Sequence, residues 1–212
     1  MNFHYQANIP IVIQSSAQGE RTLDIYSRLL ADRIIFVQGE ITEEIANLVV
    51  AELLFLDAED PNLDITLYVN SSGGSVMSAM TVYDAINQIR SYICTVCIGT
   101  AASMAAFLLS SGTKGKRYAL PNARITIRQP SGATQGKVSD IEVAAKEILY
   151  LKKSINRILA SNTDQSEERI EIDSERDFFM SAEEAKAYGL VDSIITKKPA
   201  FIQSSTNSPI DK

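Results

Sequence analysis

One histidine, His4, is all that the 212-residue sequence offers, and it sits near the N-terminus. No imidazole therefore stands within the body of the chain to take up a proton as a general base. Cysteine is almost as scarce. Cys94 and Cys97 have the C-x-x-C spacing of a redox pair, but they lie inside YICTVCIGT, an apolar run that reads as a buried strand. Residues three apart on a strand point to opposite faces, so both are expected as buried structural thiols, which fits a reducing cytosol. Positive charge is not in excess: the formal net charge is −6. That excludes the basic surface needed to hold nucleic acid or an anionic membrane. No apolar run reaches the ~18 residues that span a bilayer. The opening stretch MNFHYQANIPIVIQSS has neither a basic segment nor a long apolar core, so no secretory signal is expected. No metal site and no cofactor are expected either.

What is present is an ordinary globular composition, with 45% hydrophobic and 22% charged residues, in a chain long enough for one substantial core. Residues 1–18 carry little pattern and are expected to be a mobile arm. The apolar spacing of 21–33 predicts a helix, and IIFVQ (34–38) a buried strand. Thr42 followed by Glu43 and Glu44 opens a second, long amphipathic helix. Residues 64–70 predict a strand, 75–90 a helix, and 93–99 a third strand. A helix rich in small residues, hence tightly packed, begins near Ser103; RYAL and RITI follow as short strands. Residues 138–161 predict a helix of more than six turns, 181–190 a short capped one, and the polar 197–212 a disordered tail. Alternating strands and helices predict an α/β fold with parallel character, one domain spanning 19–196 with a protruding helix.

Two turns, YVNSSGGSV and CIGTAASMAAF, each close a strand and open a helix. Backbone N–H groups at such a turn are unpaired and can face an oxyanion, Gly73-Gly74 permits close backbone approach, and Ser103 is presented as a nucleophile. Two glycines and a serine before a helix also make a plain turn, and the pattern alone does not choose. GERTLDIYSRLLADRIIF, NSSGGSV, GTAASMAAFLLSSGTKGKRYALPNARI, QPSGATQGK, DIEVAAKEIL and SERDFFMSAEEAKAYGLVDSI, in this order over about residues 9–196, resemble the proteolytic subunit of the Clp protease, ClpP. The resemblance implies a crotonase-like α/β fold of βαβ units with a handle, a strand plus a long helix, over about 129–161. It implies two heptameric rings stacked as a tetradecamer, in which a Ser-His-Asp triad cuts unfolded polypeptide delivered by a hexameric ATPase.

Carried over residue by residue, the resemblance puts the nucleophile at Ser103, the oxyanion-hole amides at Gly74 and Met104, and the acid at Asp177. The base falls on position 128, where the family has histidine and this chain has Arg128. A guanidinium stays charged and offers only donors, so it cannot accept the serine proton. Loss of the histidine from a serine-protease triad costs about 10⁶ in kcat. In the cleft Arg128 is expected to form a buried bidentate pair with Asp177, about 3 Å long, so that Asp177→Ala would destabilise by ~3–5 kcal/mol. Other bases to consider are His4, threaded in from the arm, and a Ser-Lys dyad through Lys114 or Lys116.

Further departures are Ser72 for a usual proline, Ala105 for a usual glycine, and one glycine fewer in PSGATQG. Arg176 matches a residue that links the rings. Tyr68, Val96, Ile98, Tyr118, Leu120 and Ile195 match the apolar pocket that receives the ATPase, while Thr66 and Gln88 fall where aromatics are common. The resemblance thus implies a chamber subunit with an incomplete triad, acting beside a catalytically complete paralogue in a cytoplasm or plastid stroma. An active endopeptidase with another base is the alternative. A crotonase-type acyl-CoA enzyme is a remote one, since neither turn shows an added acid/base carboxylate.

Overall fold

A computed structural model describes residues 9–16, 19–132 and 135–196; the expected tail at 197–212 and His4 lie outside these. The first described elements form a hairpin of β1 (Ile11–Ser16) and β2 (Gly19–Asp24), paired antiparallel from Ile11 opposite Asp24 to Ser16 opposite Gly19. This corrects two expectations. Residues 11–16 belong to a strand and not to an unpatterned arm, and 21–24 belong to its partner. The first helix, α1 (Ile25–Ala31), starts only where the Asp24 carboxylate accepts the Ser27 amide. The spacing of Leu23, Ile25 and Tyr26 suits a helix, but β1 supplies ladder hydrogen bonds that a helix at 21–24 would forgo.

The body alternates as expected: β3 (Ile34–Ile41), α2 (Glu43–Glu59), β4 (Ile65–Gly74), α3 (Val76–Gln88), β5 (Ile93–Ala102) and α4 (Met104–Ser110). The Thr42 hydroxyl caps α2 by accepting the Ile45 amide, with Glu43 and Glu44 in its first turn. Strands β3, β4 and β5 run parallel, and their alternate residues Ile35, Val37, Leu67 and Val69 are buried under the helices. All of α4 is buried, and its alanines let it sit close to the sheet. Both cysteines are free in β5. Burial pushes the Cys94 thiol up to about 11 and the Cys97 thiol up to about 12, so both stay protonated and unreactive.

Beyond α4 come β6 (Arg117–Ala119), β7 (Arg124–Ile127), α5 (Val138–Thr163), α6 (Glu167–Ser174), β8 (Phe178–Met180), α7 (Ala182–Tyr188) and β9 (Ser193–Ile194). Strand β5 forks. Its first half, Thr95–Cys97, pairs with β6, and its second half, Thr100–Ala102, pairs with β7. Gly99, at φ +77, lies at the fork, where a Cβ would come within 2.8 Å of the Asn70 Oδ1 that accepts the Thr100 amide. The fork carries β7 away from β6 and toward the end of the sheet where Gly74 and Ser103 lie.

The fold is mixed α/β around a mostly parallel seven-stranded sheet. Only the C-terminal part of α5 is buried, through Ile155, Leu159 and Ala160, whereas Ile141, Val143, Leu149 and Tyr150 are exposed. The strand half of the expected handle does not form: β7 stops at Ile127, and no strand occupies the described residues of 129–137. A strand needs a neighbour to complete its ladder, and this segment has none within one chain. It lies instead against α5, with a Cβ at Gly132 coming within 2.9 Å of Ile148. Among the described residues no helix is long and apolar enough to cross a membrane.

Candidate active site

Three strand ends converge to make a cleft. At the end of β4, the buried Ser71 hydroxyl donates to the Gly39 carbonyl and accepts the Gly73 amide at 3.0 Å. It thereby ties the bulge in β3 to the Gly73-Gly74 turn. Gly73, at φ +98, adopts a conformation that side chains resist; a Cβ there would lie 2.8 Å from the Ala102 carbonyl and 3.2 Å from the Met104 nitrogen. A Cβ on Gly74 would fall 2.4 Å from the Ile41 carbonyl oxygen. The two glycines thus bring β4 into direct backbone contact with β3 and with the turn after β5. The same contact puts the Gly73-Gly74 turn beside Ser103 and Met104.

Ser103 itself has φ 55 and ψ −121, a strained conformation for a residue with a side chain. Such strain costs on the order of 1–3 kcal/mol and persists only where neighbours hold it. Here the Ser103 amide donates to Thr126 of β7 at 2.8 Å and its carbonyl accepts the Phe107 amide of α4 at 3.1 Å. The hydroxyl caps no helix amide, and the residue lines the cleft. A strained serine on a sharp strand-to-helix turn is how a nucleophile is presented on other α/β hydrolases. The buried Ala105 lies beneath it in α4.

Arg128 reaches the same cleft, which has a volume of about 250 Å³ and is also lined by Ser103, Gly74, Ser72 and Glu40. Antiparallel pairing of β7 with β8 sets Ile127 opposite Phe178, so the next residues along, Arg128 and Asp177, fall side by side. The Gln129 amide continues the contact by donating to Ser174 at 2.7 Å. Arg128 Nη1 stands 3.9 Å from Asp177 Oδ1, and each side chain is 47% exposed. The partnership is as expected, but its character is not. A buried bidentate pair near 3 Å does not form, because the β7–β8 edge leaves both groups open to water. A contact this open is worth at most about 1 kcal/mol, so the ~3–5 kcal/mol expected for Asp177→Ala is withdrawn.

Glu40 is the cleft residue that sequence reasoning missed. It follows the Gly39 bulge and directly precedes the Ile41-Thr42 entry to α2; a Gly-Glu pair ahead of a capped helix was the available signal. The lysines are elsewhere. Lys114 is bonded to Asp164 at 2.7 Å, and Lys116 is bonded to Asp64 and sits over the Tyr92 ring. Neither lines the Ser103 cleft, so a Ser-Lys dyad through them is not formed. Arg176 is exposed, next to Asp177.

The expected docking residues gather in part. Register sets Tyr68, Val96 and Tyr118 in one row across β4, β5 and β6, with Thr66 and Cys94 in the row below. With Ile195 they line a cavity of about 590 Å³, with Lys116 and Asp64 also in its wall. Ile98 and Leu120 lie one step further toward the fork of β5 and are not among its lining residues. Gln88 is exposed at the end of α3 and does not line it.

Similarity to known proteins covers almost all of this architecture. The family model for Clp protease matches residues 17–198, which takes in every element from β2 to β9 together with Ser103, Arg128 and Asp177. The chain belongs to the Clp protease family.

Proposed function

We propose that this chain is a chamber subunit of a Clp-type protease whose own site takes in polypeptide without cutting it. One observation carries the reading: the side chain that shares the cleft with Ser103 and stands beside Asp177 is an arginine. Ser103 shares a cleft with Arg128, and Arg128 neighbours the Asp177 carboxylate, but a guanidinium can only donate. By family resemblance, the subunit joins heptameric rings stacked as a tetradecamer, beside a catalytically complete paralogue, and receives unfolded polypeptide from a hexameric ATPase. The cavity of Tyr68, Val96, Tyr118 and Ile195 is the docking face, and Arg176 a contact between rings. Its two free, unreactive thiols suit a cytoplasm or a plastid stroma.

A fluorophosphonate probe tests the site, because labelling needs an activated serine. Ser103 is expected to label slowly or not at all over hours, read by mass spectrometry. Rapid labelling overturns the reading. Among the described residues Glu40 is the one carboxylate lining the cleft, and loss of such labelling in Glu40→Gln would identify that residue as the base. Assembly is tested separately. The exposed apolar half of α5 is stable in water only under a partner, so light scattering at micromolar concentration is expected to give multiples of 23.3 kDa. A lone monomer would count against a ring subunit.

A further inference from the structure

We infer that the Ser103 cleft is a receptor for the carboxylate end of a peptide, with the Arg128 guanidinium as its anchor. The inference rests on the reading of this site as one that does not cut. Arg128 carries five N–H donors, and among the described residues their one polar partner is the loose 3.9 Å contact with Asp177. Half the side chain is exposed, and it lines the open cleft that Ser103 also lines. A planar fork with free donors is matched by a carboxylate, which it binds through two parallel hydrogen bonds. Apart from Glu40, the wall is neutral and polar at Ser72, Ser103 and Ser131, and apolar at Val76 and Pro130.

Glu40 decides which carboxylate. It lines the same cleft, it is exposed, and it has no ion-pair partner among the described residues. A small free anion has only the Arg128 guanidinium to set against the repulsion of Glu40. A peptide chain brings backbone and side-chain contacts along the wall, and these offset that repulsion. Its terminal carboxylate is carried on the backbone itself, so it is fixed with less loss of rotamer freedom than the carboxylate of a long side chain. A new chain end of this kind is the product of peptide hydrolysis. The site therefore suits retention of cleaved fragments made elsewhere in the same chamber.

Fluorescence anisotropy of an N-terminally labelled alanine tetrapeptide tests this on the full-length purified chain. The free acid is expected to bind about tenfold more tightly than the otherwise identical C-terminal amide, the difference of one hydrogen-bonded charge. Arg128→Gln is expected to erase that preference, and Glu40→Gln to strengthen binding of the acid several-fold. Equal binding of acid and amide, or no binding of either up to millimolar protein, overturns the inference. So does displacement by acetate at equal concentration, which would make the site a small-anion site. Cleavage of the tetrapeptide, read by mass spectrometry in the same tube, would instead overturn the proposed function and leave the carboxylate preference to be judged on the Ser103→Ala chain.

Discussion

Arg128→His is expected to raise hydrolysis of a fluorogenic peptide by at least about 10³-fold, toward the ~10⁶ that a triad histidine is worth. The backbone for this gain already exists. The β7–β8 register holds position 128 beside Asp177, and the cleft joins it to Ser103 at its strained turn. An imidazole placed there would have the carboxylate to fix its tautomer and the serine hydroxyl to deprotonate. The full factor is not expected, because Ser72 in the cleft wall and the buried Ala105 two residues after Ser103 are further departures from the pattern the resemblance implies. The regained rate should also rise with pH through the imidazole range, ~6–7, since only the neutral ring accepts a proton. Arg128→Gln should give no gain, and Ser103→Ala should remove it. A rate for Arg128→His within a few-fold of the unaltered chain would mean that the missing base is not what silences the site.

What the sequence made legible, and what it did not, follows from how local each signal is. Helix α2 was readable because Thr42 and the two glutamates after it satisfy a helix start within four residues. Helix α7 was readable for the same reason: Ser181 and Glu184 form a reciprocal capping box. The β1–β2 hairpin was not readable, because its ladder bonds come from a segment with no strong turn signal, and Leu23 to Tyr26 suit a helix equally well. Helix α6 and strands β8 and β9 were missed. They are short, and β8 and β9 exist only because β7 and β6 offer them an edge. The site divides along the same line. Ser103, Gly74, Arg128 and Asp177 are named through motifs; the first three line one cleft, and Asp177 stands 3.9 Å from Arg128. The openness of the Arg128–Asp177 pair was invisible, since exposure at a sheet edge depends on what else covers it. The Gly-Glu pair ahead of the Thr42 cap marks Glu40 in the sequence but not its place in the cleft, which it reaches through a bulge, a property of two paired strands.

The largest expected loss of stability lies away from the cleft, at Arg117 and Asp192. Arg117 is 4% exposed, and its guanidinium meets Asp192 through Nε at 3.0 Å and Nη2 at 2.6 Å, while Nη1 donates to the Asn162 carbonyl at 2.7 Å. The same carboxylate accepts the amides of Gly115 and Arg117, so one side chain joins β6, the end of α5 and the segment before β9. Burial by itself would raise the Asp192 carboxyl. The bonds from the Arg117 side chain and amide and the charge of the guanidinium outweigh it and hold the group below the ordinary carboxylate range. Asp192→Asn would leave a buried guanidinium without its counter-charge, which costs about 3–5 kcal/mol, a large share of the ~5–15 kcal/mol that holds a domain together. Urea titration at fixed protein concentration should show the midpoint fall with the slope unchanged. Because the folded carboxyl is depressed, its contribution is complete above the unfolded value of ~4 and is lost as pH falls through the lower folded value. The unaltered chain should therefore lose stability on acidification below about pH 4, and Asp192→Asn should lose less over the same window. An Asp192→Asn chain as stable as the original at pH 7, or one with the same acid dependence, would show that this pair does not tie the three elements together.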